Sequence, residues 1–485
     1  MGDPGPITQT KFLQANTAPT TRPTSHPSPA RGTLELIALL AVGILIARVF
    51  VAEPYAIPTG SMAPTLLGNH LEWRCPNCGM PLLIGRMPDQ SVPDPLCGNC
   101  GNRQFANQPA SQASGDRVLV QKMIFDFRKP ARWEPAVFWN PESPREPFVK
   151  RIVGLPGESL LLRDGDVWVD GIPARKSIAQ QRALRQLVYH HDHRPADYDR
   201  YPRWVFRSQH SDTPPHWISS GTRFLYSNSS REPDIEWLEY QHWQPDRMAP
   251  GPVYDFIPYD GAARPGQNRV DDLMLSAEIR PDSNWRELRV AIHHKAEAFE
   301  IRFQNDGVPT VTLTHNGKPA PIKPTDHAMR ASRPQLLEVS TFDQQLLVAL
   351  DGILVFEPFQ WHPAVDASPL LSQRIALGAA GGSLTISHLR VDRDIYYTTT
   401  LETGMRQAAG VAAPVTLGPD DFFALGDNSP VSNDSRFWRQ GPRIRGESLL
   451  GKPFLVHVPG QSIPVGLAGH TLFWIPDFRR IRYIH

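Results

Sequence analysis

Two widely separated places in this chain carry residues that can do chemistry together. In "IPTGSMAPTL" Ser61 stands between a glycine and a methionine, and in "PFVKRIVGL" Lys150 is flanked by apolar residues. A serine hydroxyl becomes an effective nucleophile only when a base takes its proton. Lysine can be that base when burial among apolar neighbours disfavours its ammonium form, lowering a pKa of about 10.4 by several units. No histidine is then needed. Side chains alternate along a strand, so the adjacent Arg151 points to the other face. Gly60 lets a substrate backbone approach Ser61. The Thr59 hydroxyl, two residues earlier and on the same side, can join the Ser61 amide in donating to a developing oxyanion.

A second constellation is formed by Cys75, Cys78, Cys97 and Cys100, the only cysteines in the chain. Their spacing is C-x2-C, eighteen residues, C-x2-C, and each knuckle ends in glycine. This is the zinc-ribbon pattern. Four thiolates give a closed tetrahedral site whose role is structural, since no position is left open for water. Two disulfides are the alternative in an oxidising compartment. A redox-active C-x-x-C is disfavoured because no thioredoxin-like context surrounds it.

The elements that must position these residues read as β-structure. "GDRVLVQKM", Gly115 to Met123, is an alternating strand entered from a Gly-Asp turn. The run holding Lys150 ends at the turn "GLPGE", and "FFALGDNSPVSNDSRFW", Phe422 to Trp438, is an apolar strand running into a polar loop. The 49 prolines in 485 residues are about twice the usual share and favour strands with stiff connections over helix bundles. A chain of this length needs more than one core. A net charge of +1 gives no basic excess for phosphates, which excludes nucleic acid as the expected partner.

Residues 1–32 are rich in Pro, Thr and Ser without periodicity and are expected to form a disordered tail. Thr33 to Ala52 is one apolar stretch of about the 20 residues that cross a bilayer, with Glu35 and Arg48 close to its ends. Lys11, Arg22 and Arg31 precede it, so the positive-inside rule keeps the tail in the cytoplasm and sends the rest outside. "RVFVAEPY" is a poor cleavage site, which argues for an anchor over a removed leader.

Taken together, "IPTGSMAPTL", "GDRVLVQKM", "FVKRIVGLPGE" and "GDNSPVSNDSR" resemble the conserved boxes of type I signal peptidases (leader peptidases), the bacterial membrane-bound Ser/Lys proteases. The resemblance implies Ser61 as nucleophile, Thr59 as an oxyanion donor in place of the commoner serine, and Lys150 as general base. It implies that Ser432 orients the lysine and that Asp434 and Arg436 hold the loop by an ion pair. Val431 stands where the family commonly has Asn. The implied function is a membrane-anchored serine endopeptidase that removes signal peptides from exported preproteins through an acyl-enzyme. It cuts after small residues in an A-x-A-like site, needs no cofactor for catalysis, and loses activity at acidic pH as Lys150 protonates. The implied location is the inner (cytoplasmic) membrane, single-pass, with the catalytic domain on the extracytoplasmic side. Two other readings compete: a self-cleaving Ser/Lys protease of the repressor-processing type, and a specialised or inactive anchored protein whose second domain binds glycan or protein.

The expected fold is therefore mainly β: a signal-peptidase-like β catalytic module behind one N-terminal transmembrane helix, with an inserted zinc ribbon and an inserted β-sandwich. The expected boundaries are 33–52 for the helix, 53–74, 102–173 and 394–485 for the catalytic module, and 75–101 for the ribbon. Residues 174–202 are expected as a linker and 203–393 as the sandwich. Within the linker, His190, His191, Asp192 and His193 read as a polar loop more readily than a metal site. Beyond it, short alternating segments separated by "NDG", "HNG" and "LDG" resemble concanavalin A-like or laminin-G-like jelly rolls. "RDIYYT" is expected as a returning strand, "MRQAAGVAAP" as a mobile connection, and "LFWIPDFRRIRYIH" as the closure of the catalytic module.

Overall fold

The computed structural model describes residues 2, 29–50, 52–86, 94–105, 110–208, 215–230, 233–262, 266–362, 373–399, 408–460, 462–467 and 470–484. Nearly all of the expected tail, and 405–407 of the expected mobile connection, lie outside these. The chain divides into two units, residues 1–51 and 52–485. In the first, Pro29–Phe50 is a helix whose Leu34, Leu36, Ile37, Leu39, Leu40 and Val42 are all exposed. Among the described residues no helix is long and apolar enough to cross a membrane.

The second unit is built on one large antiparallel sheet. Its strands run Ala52–Ala56, Arg117–Gln121, Leu449–Val458, Pro135–Asn140, Ser143–Gly154, Asp421–Leu425 and Ile444–Arg445. The alternation read in "RVLVQ" has its physical cause here. Val118 and Val120 are fully buried, beside Ile57, Met62, Leu66, Val137, Val456 and Ile484. Each such side chain contributes roughly 1.5–3 kcal/mol of burial energy. Met62 of the turn carrying Ser61 and Leu66, four residues after it, lead the chain from that turn into this core. A second cluster, with Ala136, Phe138, Ile152, Phe422, Ala424, Trp438 and Ile444, packs the other strands. At the C-terminus Arg482–Tyr483 pairs with the Leu449–Val458 strand and Ile484 enters the first core. The tail end closes the module.

Two strands of this sheet keep an open edge. Among the described residues Ala52–Ala56 is terminal and pairs only with Arg117–Gln121. In Ser143–Gly154, the Asp421–Leu425 strand pairs with Arg151, Ile152 and Gly154 but no further back. Among the described residues those up to Lys150 are thus paired on one side alone, with Pro135–Asn140.

The insertions depart from the expected boundaries. The cysteine knuckles sit on a three-stranded sheet of Pro81–Gly85, His70–Arg74 and Ser111–Ala113. The ribbon therefore extends over 70–113, not 75–101, because its flanks pair with each other. The expected linker 174–202 is structured. Ser177 and Gln180 form a capping box opening the helix Ile178–Leu184, and Gln186–His190 is a strand paired with Gly382–Arg393. That partner belongs to the nine-stranded sheet of the sandwich, which faces a seven-stranded sheet across a core including Trp204, Trp285, Phe299 and Leu346. A seven-residue helix is too short to show an apolar period, which is why the segment reads as a linker. "RDIYYT" is a further correction: from Asp394 on it is extended chain outside any sheet, tied by single bonds from the amides of Asp394 to Asp272 O and of Tyr397 to Gly165 O.

Candidate active site

Ser61 lies in a single 3-10 turn, Gly60–Met62, that follows the Ala52–Ala56 strand. Lys150 lies in the Ser143–Gly154 strand. Their side chains meet at 2.6 Å, Lys150 Nζ to Ser61 Oγ. Lys150 is 3% exposed, and no ion pair to it occurs among the described residues. Burial pulls its pKa down to about 8, with the more distant Asp434 charge pulling back. At 5.5 Å from Nζ the Phe148 ring helps screen it from water. A lysine in that state is neutral in a substantial fraction of molecules near pH 8, the form that is able to take up a proton.

Arg151 is buried too, and treated in the opposite way. Its guanidinium donates two bonds to Asp427, at 2.9 and 2.7 Å, and one to Trp133 O at 2.6 Å. Asp427 was not singled out by the sequence reading, although it lies in the "GDN" of the last block. The signal that identifies it is the second cation of "KR", which once buried needs a carboxylate.

The last block forms a polar loop under the dyad. Arg436 and Asp434 make two parallel bonds of 2.8 Å. Burial pushes the Asp434 carboxyl up, but the guanidinium outweighs it and holds it below the usual range. Arg436 also reaches Thr398 O and the Ser429 hydroxyl, each at 2.7 Å, and Asp434 accepts from the Gly426 amide. Among the described residues no hydrogen bond joins Ser432 to Lys150. Its Oγ is fully buried without a hydrogen-bond partner and sits over Gly426, where a β-carbon would lie 2.2 Å from it. The lysine nitrogen is instead engaged with Ser61. Val431 lines the cleft, and Thr59 is exposed in the same cleft, its hydroxyl making no cap bond to the turn.

That cleft has a volume of about 710 Å³. Tyr55, Ala56 and Ile57 form one wall, Glu146, Phe148 and Val149 the other, and Ser61 and Lys150 lie between. Both walls are the open strand edges described above, so their backbone groups are available to an extended peptide. Arg86 of the ribbon and Tyr259 and Asp260 of the sandwich insertion complete it.

The four cysteines are together as free thiols. Cys75 and Cys100 sulfurs are 3.5 Å apart and Cys78 and Cys97 3.6 Å. Sulfurs on a tetrahedral zinc at about 2.3 Å stand roughly 3.8 Å apart, so the set fits that ion. Gly79 and Gly101 close the knuckles at φ of +70° and +78°, where a β-carbon is strained. Both knuckles are held by the supposed linker: Asn99 donates to His193 O and accepts from the His190 amide, and Asn77 donates to Asp197. His191 stacks on Phe224 at 4.9 Å, and Asp192 pairs with His388. Those histidines and Asp192 form no metal-binding group among the described residues. A second acidic group, Asp166, Asp343 and Asp394, already holds a cation of the chain itself, Lys176, at 2.5 Å from Asp343 and 2.8 Å from Asp394.

Residues 102–230 match the family described as "Signal peptidase, peptidase S26". The match includes Lys150 and leaves Ser61 and the last block outside it. The chain is 28% identical over 160 residues to the probable signal peptidase I-1 of Synechocystis sp., covering 31% of this chain and 58% of that protein. It is 28% identical over 155 residues to signal peptidase I of Leptolyngbya laminosa, covering 30% and 52%. The chain thus spans about half the length of these curated relatives. Among solved structures, the carbohydrate binding module CBM66 from Bacillus subtilis is 10% identical, covers 39% of this chain and 95% of its own, and has a TM-score of 0.26. The Emp46p carbohydrate recognition domain is 12% identical, covers 40% and 90%, and has a TM-score of 0.27. Scores this low carry no argument about the sandwich.

Proposed function

We propose that this protein is a Ser/Lys endopeptidase of the signal peptidase I type, which removes signal peptides from exported preproteins. The observation that carries the reading is the 2.6 Å contact between Ser61 Oγ and a buried Lys150 Nζ at the floor of a cleft with two open strand edges. The similarity of residues 102–230 to peptidase S26 supports the same class.

In this reading a preprotein lies extended in the cleft, adding its backbone to one or both edges. Neutral Lys150 takes the proton of Ser61 as its oxygen attacks the scissile carbonyl. The Ser61 amide and the Thr59 hydroxyl receive the oxyanion, an acyl-enzyme forms, and Lys150 then activates water. Small residues of an A-x-A-like site are the proposed specificity. No cofactor enters the chemistry. Zinc on Cys75, Cys78, Cys97 and Cys100 is proposed as structural, holding the ribbon that carries Arg86 to the cleft. The apolar run Thr33–Ala52 is the proposed anchor in the inner (cytoplasmic) membrane, with the catalytic unit outside. Its row of exposed Leu, Ile and Val side chains needs an apolar cover.

The test is cleavage of a preprotein with an A-x-A site by the detergent-solubilised protein, beside Ser61→Ala and Lys150→Ala. Cleavage at that site by the parent and by neither variant is expected. Cleavage that survives in either variant overturns the dyad.

A further inference from the structure

The sandwich insertion sends one short turn far from its own core. Pro258–Asp260 is a 3-10 turn that lodges between the nucleophile turn, the ribbon strand Pro81–Gly85 and the loop of the last block. Ile257 and Tyr259 form a small apolar core there with Ala63 and Leu67, just after the nucleophile, and Leu83 of the ribbon. The Tyr259 ring lies so close to the backbone that a β-carbon at Gly60, next to Ser61, would stand 2.3 Å from its Cε1, and one at Gly85 would stand equally close. Its hydroxyl donates to Asn69 O at 3.3 Å. Pro258 packs against the knuckle at Gly98, and the Ala262 amide donates to Asp94 O of the ribbon. Polar groups continue the path. Asp260 Oδ1 accepts from Asn428 Nδ2 at 2.9 Å, both residues being buried, and the Asn428 amide donates to Ser61 O at 3.1 Å.

We propose that Asp260 and Tyr259 are positioning residues for the nucleophile, so that the sandwich insertion is a working part of the active site. This rests on the peptidase reading for its catalytic consequence. The physical reason is that Ser61 sits in a turn of three residues, too short to fix its own carbonyl and side chain. The turn is set from outside, by Asn428 on one side and the Tyr259 ring on the other. Asn428 in turn has its amide group oriented by Asp260. A shift of a fraction of an ångström in Ser61 lengthens the contact to Lys150, and such misplacement lowers turnover more than binding.

The test compares the full-length protein with Asp260→Ala, Asp260→Asn and Asn428→Ala. Asp260→Ala is expected to lower kcat about tenfold with KM changed less than about twofold. Asp260→Asn keeps an acceptor oxygen for Asn428 and is expected to restore most of that loss. The Asp260→Ala, Asn428→Ala double variant falls no further than the lower single variant, since both remove one bond. Independently of any substrate, hydrogen exchange in peptides covering 59–67 and 424–432 is expected to quicken about tenfold in Asp260→Ala and not in Asp260→Asn. Unchanged exchange there, a kcat equal to the parent's, or fully additive losses overturn the proposal. If the parent itself cuts no preprotein, the peptidase reading fails, and the exchange comparison still judges whether the tip holds the nucleophile turn. Should Asp260→Ala not fold, Asn428→Ala carries the same comparison from the other end of the bond.

Discussion

Lys150 and Arg151 are neighbours on one strand, both cations, both removed from water, and they end in opposite states. Arg151 is met by a carboxylate in a two-pronged pair and by a carbonyl. Lys150 is met by a serine hydroxyl and an aromatic ring, with the nearest acid already committed to Arg436. Burial with a partner keeps a charge, whereas burial without one makes a base. The two faces of the strand thus differ: one ties the last block in place, and the other presents the lysine proposed as the base.

The contrast can be broken most severely at Lys150. Lys150→Arg keeps the cation but cannot give it up, and is expected, like Lys150→Ala, to lower kcat/KM by more than about 10³-fold. Activity in Lys150→Arg within tenfold of the parent would sink the idea of a neutral base. On the other face, Asp427→Ala leaves Arg151 buried and unpaired, at an expected cost of about 3–5 kcal/mol in denaturant unfolding. The paired replacement of Arg151 by Met and Asp427 by Leu should recover most of it.

A third measurement sharpens the comparison through pH. With Lys150 near 8, kcat/KM should fall about tenfold per unit below that value and level off above it. Stability moves with the same proton. The folded pKa lies below the unfolded one of about 10.4, so the unfolded chain binds more protons between them, and stability should rise as pH climbs from about 8 toward 10.4. Lys150→Met should abolish that rise and melt no lower than the parent. A clear drop in its melting temperature would mean that the buried lysine stabilises the fold. The smallest effect is at Phe148. Burial is the largest cause of the Lys150 shift, so Phe148→Ala admits water and should move the acid limb to higher pH by less than about one unit.

Legibility in the sequence followed the range of the interaction. The strand "RVLVQ", each C-x2-C knuckle and the Asp434–Arg436 pair are written within a few residues, whereas the approach of Cys75 to Cys100 spans 25. The dyad joins residues 89 apart in the chain, and it was read through four blocks taken together. Ser432 shows the limit of that route: motif position gives it the role of orienting the lysine, and among the described residues its buried hydroxyl makes no hydrogen bond. Residues 174–202 read as a linker because their helix is short and their strand finds its partner about two hundred residues downstream. Nothing local in "VYHHDHRPAD" announces that it clasps Asn77 and Asn99 of the ribbon.

By itself the sequence determined which groups were available and which stretches had to be strands: a serine between small neighbours, a lysine in an apolar run, four thiols at knuckle spacing. Those follow from side-chain chemistry and from the period of two that a half-buried strand imposes. Tertiary structure alone decided that Lys150 would lack a carboxylate while Arg151 received one, that two strand edges would stay open beside Ser61, and that Tyr259 and Asp260 would reach the nucleophile from another domain. Desolvation and hydrogen bonding depend on what stands within a few ångströms in space, and for these residues those neighbours lie scores or hundreds of positions away.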